Sequence, residues 1–133
     1  MLARLREALV MRFENKVVIV TGAAAGIGLA ACHRFASEGA RVVAVDLQSS
    51  NLNSVATELA GYGQDILLFE ADCSDSDQVR AYVDAAVEEF GRVDYLFNNA
   101  GIEGSVADII EYPEESFNRV LNVNVRGVWL GIK

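Results

Sequence analysis

Apolar residues gather in four short runs, Val17 to Val20, Val42 to Val45, Ile66 to Phe69 and Val93 to Phe97. The runs are nearly continuous rather than alternating, and three are rich in Val or Ile. That is the pattern of strands covered on both faces in a parallel sheet. Between them, Ile27, Ala31 and Phe35 recur every four residues, and Val79, Val83, Ala86 and Phe90 recur every three or four. Those spacings predict helices that turn these positions toward a core. Each strand is thus expected to lead into a crossover helix. Gly39 and Gly91 follow the last apolar position of their helices, where a left-handed residue commonly closes the final turn. Ser74 with Asp77 offers a helix start. Pro113, the only proline, stands before Glu114 and Glu115, a fixed φ and two acids suited to the N-terminus of a last helix.

Alternating β and α units with right-handed crossovers define an α/β fold, an open doubly wound parallel sheet of Rossmann type. A chain of 133 residues that is 52% hydrophobic and 23% charged suits one compact domain, large enough to hold a core without disulfides or metals. Eleven Lys and Arg against 19 Asp and Glu leave a net charge of −8, which repels nucleic-acid phosphates and anionic lipid surfaces, so neither is expected as a partner. Cys32 and Cys73 have neither Cys-x-x-Cys spacing nor a neighbouring His cluster, so no metal site is expected and a reducing cytoplasmic setting is. Met1 to Phe13 mixes Leu2, Leu5, Leu9 and Val10 with Arg4, Arg6 and Arg12; the charges break any apolar stretch of the kind that secretion or membrane spanning needs. Residues 1–14 are therefore taken as an N-terminal extension, either an upstream start or a short surface helix, and residues 15–133 as the domain.

The chemistry begins directly after the first strand, at Thr21-Gly22-Ala23-Ala24-Ala25-Gly26-Ile27-Gly28. Glycines there allow positive φ and close approach of the backbone to a ligand. Free amides and the helix dipole favour a pyrophosphate, so Gly22, Gly26 and Gly28 are candidate phosphate-binding residues. The second strand ends at Asp46, eighteen positions after Gly28, where a carboxylate can accept hydrogen bonds from both hydroxyls of an adenosine ribose and repel a 2′-phosphate. No Arg or Lys stands among Ala23, Ala24, Ala25, Leu47, Gln48 and Ser49 to neutralise such a phosphate, so NAD is favoured over NADP. In the last helix, Phe117, Val120, Leu121, Asn124 and Val128 form one stripe, with Asn122 on the opposite face. A buried amide at Asn124 left without partners would cost about 1–3 kcal/mol, so a bond to backbone or water is expected.

Thr21 to Gly28 with its G-x-x-x-G-x-G spacing, Asp46, Asp72 after the third strand and Asn98-Asn99-Ala100-Gly101 after the fourth together resemble the short-chain dehydrogenase/reductase family. The resemblance runs from about Lys16 to Lys133 and covers about the first half of a family member, so the sheet is expected to be truncated after its fourth strand and part of the following helix. It implies hydride transfer between NAD and an alcohol or ketone, and a homo-oligomer for the complete enzyme. Ala25 and Ile27 join the phosphate turn, and Leu47 joins Asp46. Asp72 and Cys73 flank the adenine, and Asn99, Ala100 and Gly101 support the sheet and the cofactor wall. Asn124, within Asn122-Val123-Asn124-Val125-Arg126-Gly127, is the catalytic asparagine that holds a proton-relay water. Residue by residue, duller readings stand beside these: Asp72 as a helix cap, the Asn-Asn-Ala-Gly run as a strand end, Asn124 as a core amide.

The family's proton-transfer motif, Tyr-x-x-x-Lys, has no match. Tyr62, Tyr82, Tyr95 and Tyr112 are followed at that distance by Ile66, Ala86, Asn99 and Ser116. An unassisted tyrosine titrates near about 10 and supplies little anion at neutral pH. His33, the only histidine, reads as a solvated surface residue. The expected function is therefore the cofactor-binding half of an NAD-dependent oxidoreductase, itself inactive. The alternatives are a non-catalytic NAD-binding module and a subunit completed by another chain.

Overall fold

The computed structural model describes residues 11–47 and 51–133. Expectations for residues 1–10, and for Gln48 and Ser49, lie outside the described residues. The elements run β1 (Val17–Thr21), α1 (Gly26–Ser37), β2 (Arg41–Asp46), α2 (Leu52–Leu59) with a 3-10 turn (Ala60–Tyr62), β3 (Ile66–Glu70), α3 (Ser76–Phe90), β4 (Tyr95–Phe97) and α4 (Glu114–Leu121). A π-helical turn (Asn122–Gly127) then continues into α5 (Val128–Ile132). All strands are parallel in the order β3-β2-β1-β4, so the order reverses beside β1 and opens a crevice at the carboxyl ends of the strands.

The two-residue strand period splits the apolar runs between two cores. Val18, Val20, Val42 and Ala44 pack with Cys32 and Ala36 of α1 and with Leu52, Val55 and Leu59 of α2. Val17, Ile19, Val43 and Val45 face the opposite way, toward Val79, Tyr82 and Ala86 of α3. Fully burying a Val or Ile side chain contributes about 1.5–3 kcal/mol, and β-branched residues, which suit a strand, fill β1 and three of the four buried positions of β2.

Several expectations are corrected here. Full burial on both faces holds for β1 and the middle of β2, whereas β3 is half-buried and Tyr95 of β4 is exposed, because these are the sheet's outer strands. β4 begins at Tyr95 rather than Val93. The Asp94 carboxylate accepts the Val17 amide at 2.9 Å, a side chain occupying the place of a strand carbonyl at that end. Of the expected α1 stripe, Ala31 and Phe35 pack against the core but Ile27 is 73% exposed, and the fully buried line of the helix is Gly28, Cys32 and Ala36. Small residues let α1 lie close on the sheet, and hydrophobicity alone does not mark them. Asp75, not Ser74, caps α3: its carboxylate accepts the amides of Asp77 and Gln78 at 2.9 and 3.1 Å, while the Ser74 hydroxyl is engaged by Asp72. The stripe on α4 is not a core seam, since Phe117 and Leu121 are exposed and Ser116 is the buried position.

The predicted ends of the helices stand. Gly39 and Gly91 have φ of +94° and +78°, and the Gly91 amide closes α3 onto the Val87 carbonyl. Pro113 precedes α4, whose first turn holds Glu114 and Glu115. His33 is no free surface group: its ring bridges Tyr62 and Glu58, each at 3.1 Å, and ties α1 to α2.

Candidate functional site

At the crevice, β1 ends on the buried Thr21, whose hydroxyl accepts the amides of both Asn99 and Ala100 at 3.0 Å. Asn99 returns its side-chain amide to the Thr21 carbonyl at 3.0 Å. The loop after β4 is thereby fastened to the start of the glycine turn. Thr21 stands in the motif but was not singled out; the signal for it is a hydroxyl at the last position of a wholly apolar strand.

Two glycines of the turn are required by close approach. A Cβ on Gly22, which has φ +66°, would lie 3.0 Å from the Asn99 side-chain nitrogen, and one on Gly28 would lie 1.9 Å from the Gly22 carbonyl oxygen. Gly26 has φ +54° and opens onto space. The cap position of α1 is Ala25, with no side chain to satisfy the first amides, and the helical ladder starts only with the Leu29 amide on the Ala25 carbonyl. The amides of the first turn are left for an external acceptor, with the positive end of the helix dipole behind them.

Asp46 ends β2 beside this turn. One carboxylate oxygen accepts the Ala24 amide at 2.8 Å and the other the Leu47 amide at 2.7 Å. The acid is therefore held in place by backbone on both sides and retains lone pairs for a further donor. Across the crevice, one oxygen of Asp72 accepts the Ser74 amide and hydroxyl at 2.8 and 2.7 Å, so Asp72 shapes its own loop rather than capping α3. Cys73 is buried, and burial, followed by the charges of Asp72 and Asp46, pushes its thiol up to about 11.

A cleft of about 780 Å³ joins these pieces and is roomy enough for a dinucleotide. Of the residues selected from sequence, Gly22, Ala25, Ile27, Asp46 and Leu47 line one side. Asp72, Cys73, Asn99, Ala100 and Gly101 line the rest, while Gly26 and Gly28 shape the turn without lining the cleft. Five further lining residues come from α4 and the π turn: Glu115, Asn118, Arg119, Asn122 and Val123. Glu115, Asn118 and Arg119 carry no signal in the sequence, because their spacing is that of an ordinary polar helix face. Asn122, read as facing away, lines the cleft, and Asn124 does not. Asn124 is exposed rather than buried. Both ends of its amide are engaged by one residue, the oxygen accepting the Ile102 amide at 2.8 Å and the nitrogen donating to the Ile102 carbonyl at 2.9 Å. The expected backbone partner is thus present, without the expected burial. Among the described residues no His, Cys, Asp or Glu cluster suits a metal ion, and no helix is long and apolar enough to cross a membrane.

The family profile described as short chain dehydrogenase matches residues 16–133. The chain belongs to the short-chain dehydrogenase family. It is 41% identical over 124 residues to levodione reductase of Leifsonia aquatica, covering 92% of this chain and 46% of that protein. It is 43% identical over 122 residues to 2-(R)-hydroxypropyl-CoM dehydrogenase of Xanthobacter autotrophicus, covering 90% and 49%. The crystal structure of NAD+-bound xylitol dehydrogenase superposes with a TM-score of 0.87 at 36% identity, over 91% of this chain and 46% of the other. The chain thus spans about half the length of these short-chain dehydrogenases, and the four-stranded parallel sheet described above is their Rossmann-type fold.

Proposed function

We propose that residues 15–133 form the NAD-binding part of a cytoplasmic short-chain dehydrogenase/reductase that moves hydride to or from a small alcohol or ketone, with residues 1–14 an extension. The carrying observation is the pairing of an uncapped first turn at Ala25–Gly28 with an Asp46 carboxylate fixed at the edge of the same cleft. The turn presents amides suited to a pyrophosphate. Asp46 presents a charged acceptor suited to ribose hydroxyls and hostile to a 2′-phosphate, which favours NAD over NADP. In this reading Ile27 and Leu47 cover the phosphates and ribose, Asp72 and Cys73 flank adenine, and Asn99, Ala100 and Gly101 form the nicotinamide-side wall.

When bound, the nicotinamide would accept hydride from an alcohol carbon or, in its reduced form, give it to a ketone carbon. This chain's residues bind and orient the nicotinamide, and Asn124, by fixing the Ile102 backbone, holds the relay side of the site. The proton-transfer Tyr-x-x-x-Lys is absent from these 133 residues, so the chain by itself binds cofactor without turning over. A homo-oligomer belongs to the complete enzyme.

Calorimetry with the purified chain tests this. NAD binds one to one, and Asp46→Ala weakens it about 10–100-fold, the worth of hydrogen bonds to a charged group. Steady alcohol- or ketone-dependent change in NADH absorbance with the chain alone would contradict the inactive assignment.

A further inference from the structure

The π turn grips both walls of the cleft at once. From Asn122 and Val123, which line the cleft, the chain passes to Asn124, clamped on Ile102 of the loop after β4. Two residues further, the Arg126 guanidinium donates to the Ser74 carbonyl in the loop after β3. Gly127 then comes so near that loop that a Cβ would lie 3.0 Å from the Cys73 carbonyl oxygen. The same loop is organised from within, since Ser74 donates twice to Asp72, and the Asp72 amide donates to Gln78 at 2.8 Å. Asp72, Cys73 and Ser74 line the same cleft as Asn122 and Val123. A π turn adds one residue to the helical ladder and re-aims the side chains beyond it, which lets Asn124 and Arg126 reach opposite loops from neighbouring positions.

We propose that Arg126 is a positioning residue for the adenine end of the cleft: by tying the π turn to the Ser74 carbonyl, it fixes the Asp72–Ser74 loop at the separation from Asn122 and Val123 that an adenine ring fills. The assignment rests on the dinucleotide reading above. Arg126 is exposed, and its charge lies near the Asp75 cap of α3 as well as on the Ser74 carbonyl, so its role is read at the loop and at the ligand rather than from the stability of the whole domain.

The test uses the whole 133-residue chain with two probes, ADP for the adenine end and nicotinamide mononucleotide for the other, together with hydrogen exchange of the 71–78 amides measured without ligand. Arg126→Met is expected to weaken ADP about tenfold while leaving the mononucleotide unchanged, and to speed exchange in the loop. Arg126→Lys, which retains a cationic donor, restores most of both effects. Equal losses for the two probes, unaltered ADP binding in Arg126→Met, or loop exchange identical to wild type would each overturn the assignment. If wild type binds neither probe, the dinucleotide reading falls and the adenine role falls with it. Loop exchange, read without ligand, then separates that result from a missing brace.

Discussion

At the scale of single residues, the site depends on backbone proximity more than on side-chain chemistry. Gly28 and Gly26 make the contrast testable, because one is constrained by space and the other by φ alone. A methyl group at 28 would have to displace the Gly22 carbonyl, so Gly28→Ala is expected to cost about 1–3 kcal/mol of stability and to abolish NAD binding. Gly26→Ala meets open space and costs only the left-handed strain, about 1 kcal/mol. Urea unfolding of the two variants gives the comparison, and equal small losses would show that α1 does not rest on the turn as closely as described. The two cysteines are similarly defined by surroundings. Burial pushes Cys32 up to about 12 and, aided by two nearby carboxylates, Cys73 up to about 11. Both thiols are therefore expected to stay protonated at pH 8 and to react slowly with a disulfide reagent, Cys32 only as fast as the chain opens and Cys73, in the cleft wall, limited by its scarce thiolate. Rapid labelling of the native protein at either position would contradict this.

At the scale of elements, carboxylates secure the ends of strands and helices, and their titration sets the acid limit of the fold. Asp94 is held below its ordinary range by the Val17 amide and then by Arg92; Asp75 by the Gln78 and Asp77 amides; Glu38 by Arg12. A carboxyl group with a lowered folded-state pKa stabilises fully above its unfolded value, near about 4, and loses that contribution as pH falls through the folded value. Urea midpoints are thus expected to hold from pH 7 to about 5 and to decline below about 4. Asp94→Asn should start lower at neutral pH and decline less steeply; a decline parallel to wild type would remove Asp94 from the account.

The same elements show what could be read beforehand. β1 and β2 are legible because helices on both faces leave only apolar residues at Val17 to Val20 and Val42 to Val45, and Gly39 and Gly91 because a left-handed residue has few alternatives. On α1 the pattern marks Ala31 and Phe35, which flank the core, but not the buried line Gly28, Cys32 and Ala36, whose smallness a hydrophobic pattern does not register. The π turn left no trace, because an i→i+5 ladder differs from an α-helix by one residue and uses the same composition. Its consequences, Asn122 entering the cleft and Asn124 leaving it, were therefore beyond sequence reasoning. Asp46 is legible from its place at the end of the second strand, eighteen positions after Gly28, whereas the Asn99 loop is legible only through the family resemblance, because what joins it to the glycine turn is the pairing of β1 with β4.

At the scale of the molecule, the crevice lies where β1 separates β2 and β3 from β4, so the cleft is lined on one side by the loops at the carboxyl ends of the strands and the first turn of α1, and on the other by α4 and the π turn. A second, smaller cavity of about 370 Å³, between α3 and the end of α5, is lined by Val79, Val83, Leu96 and Leu130 and contains none of the motif residues. Within the large cleft, Asp46, Asp72 and Glu115 outnumber the single cation, Arg119. That balance suits a ligand whose diphosphate is met by backbone amides and whose sugar carries no additional phosphate. Calorimetric titration of the wild-type chain with NAD and, separately, with NADP tests this most directly. Saturable one-to-one binding of NAD, at least about tenfold tighter than NADP, is the expected result; NADP bound as tightly as NAD, or no heat from either, would contradict it.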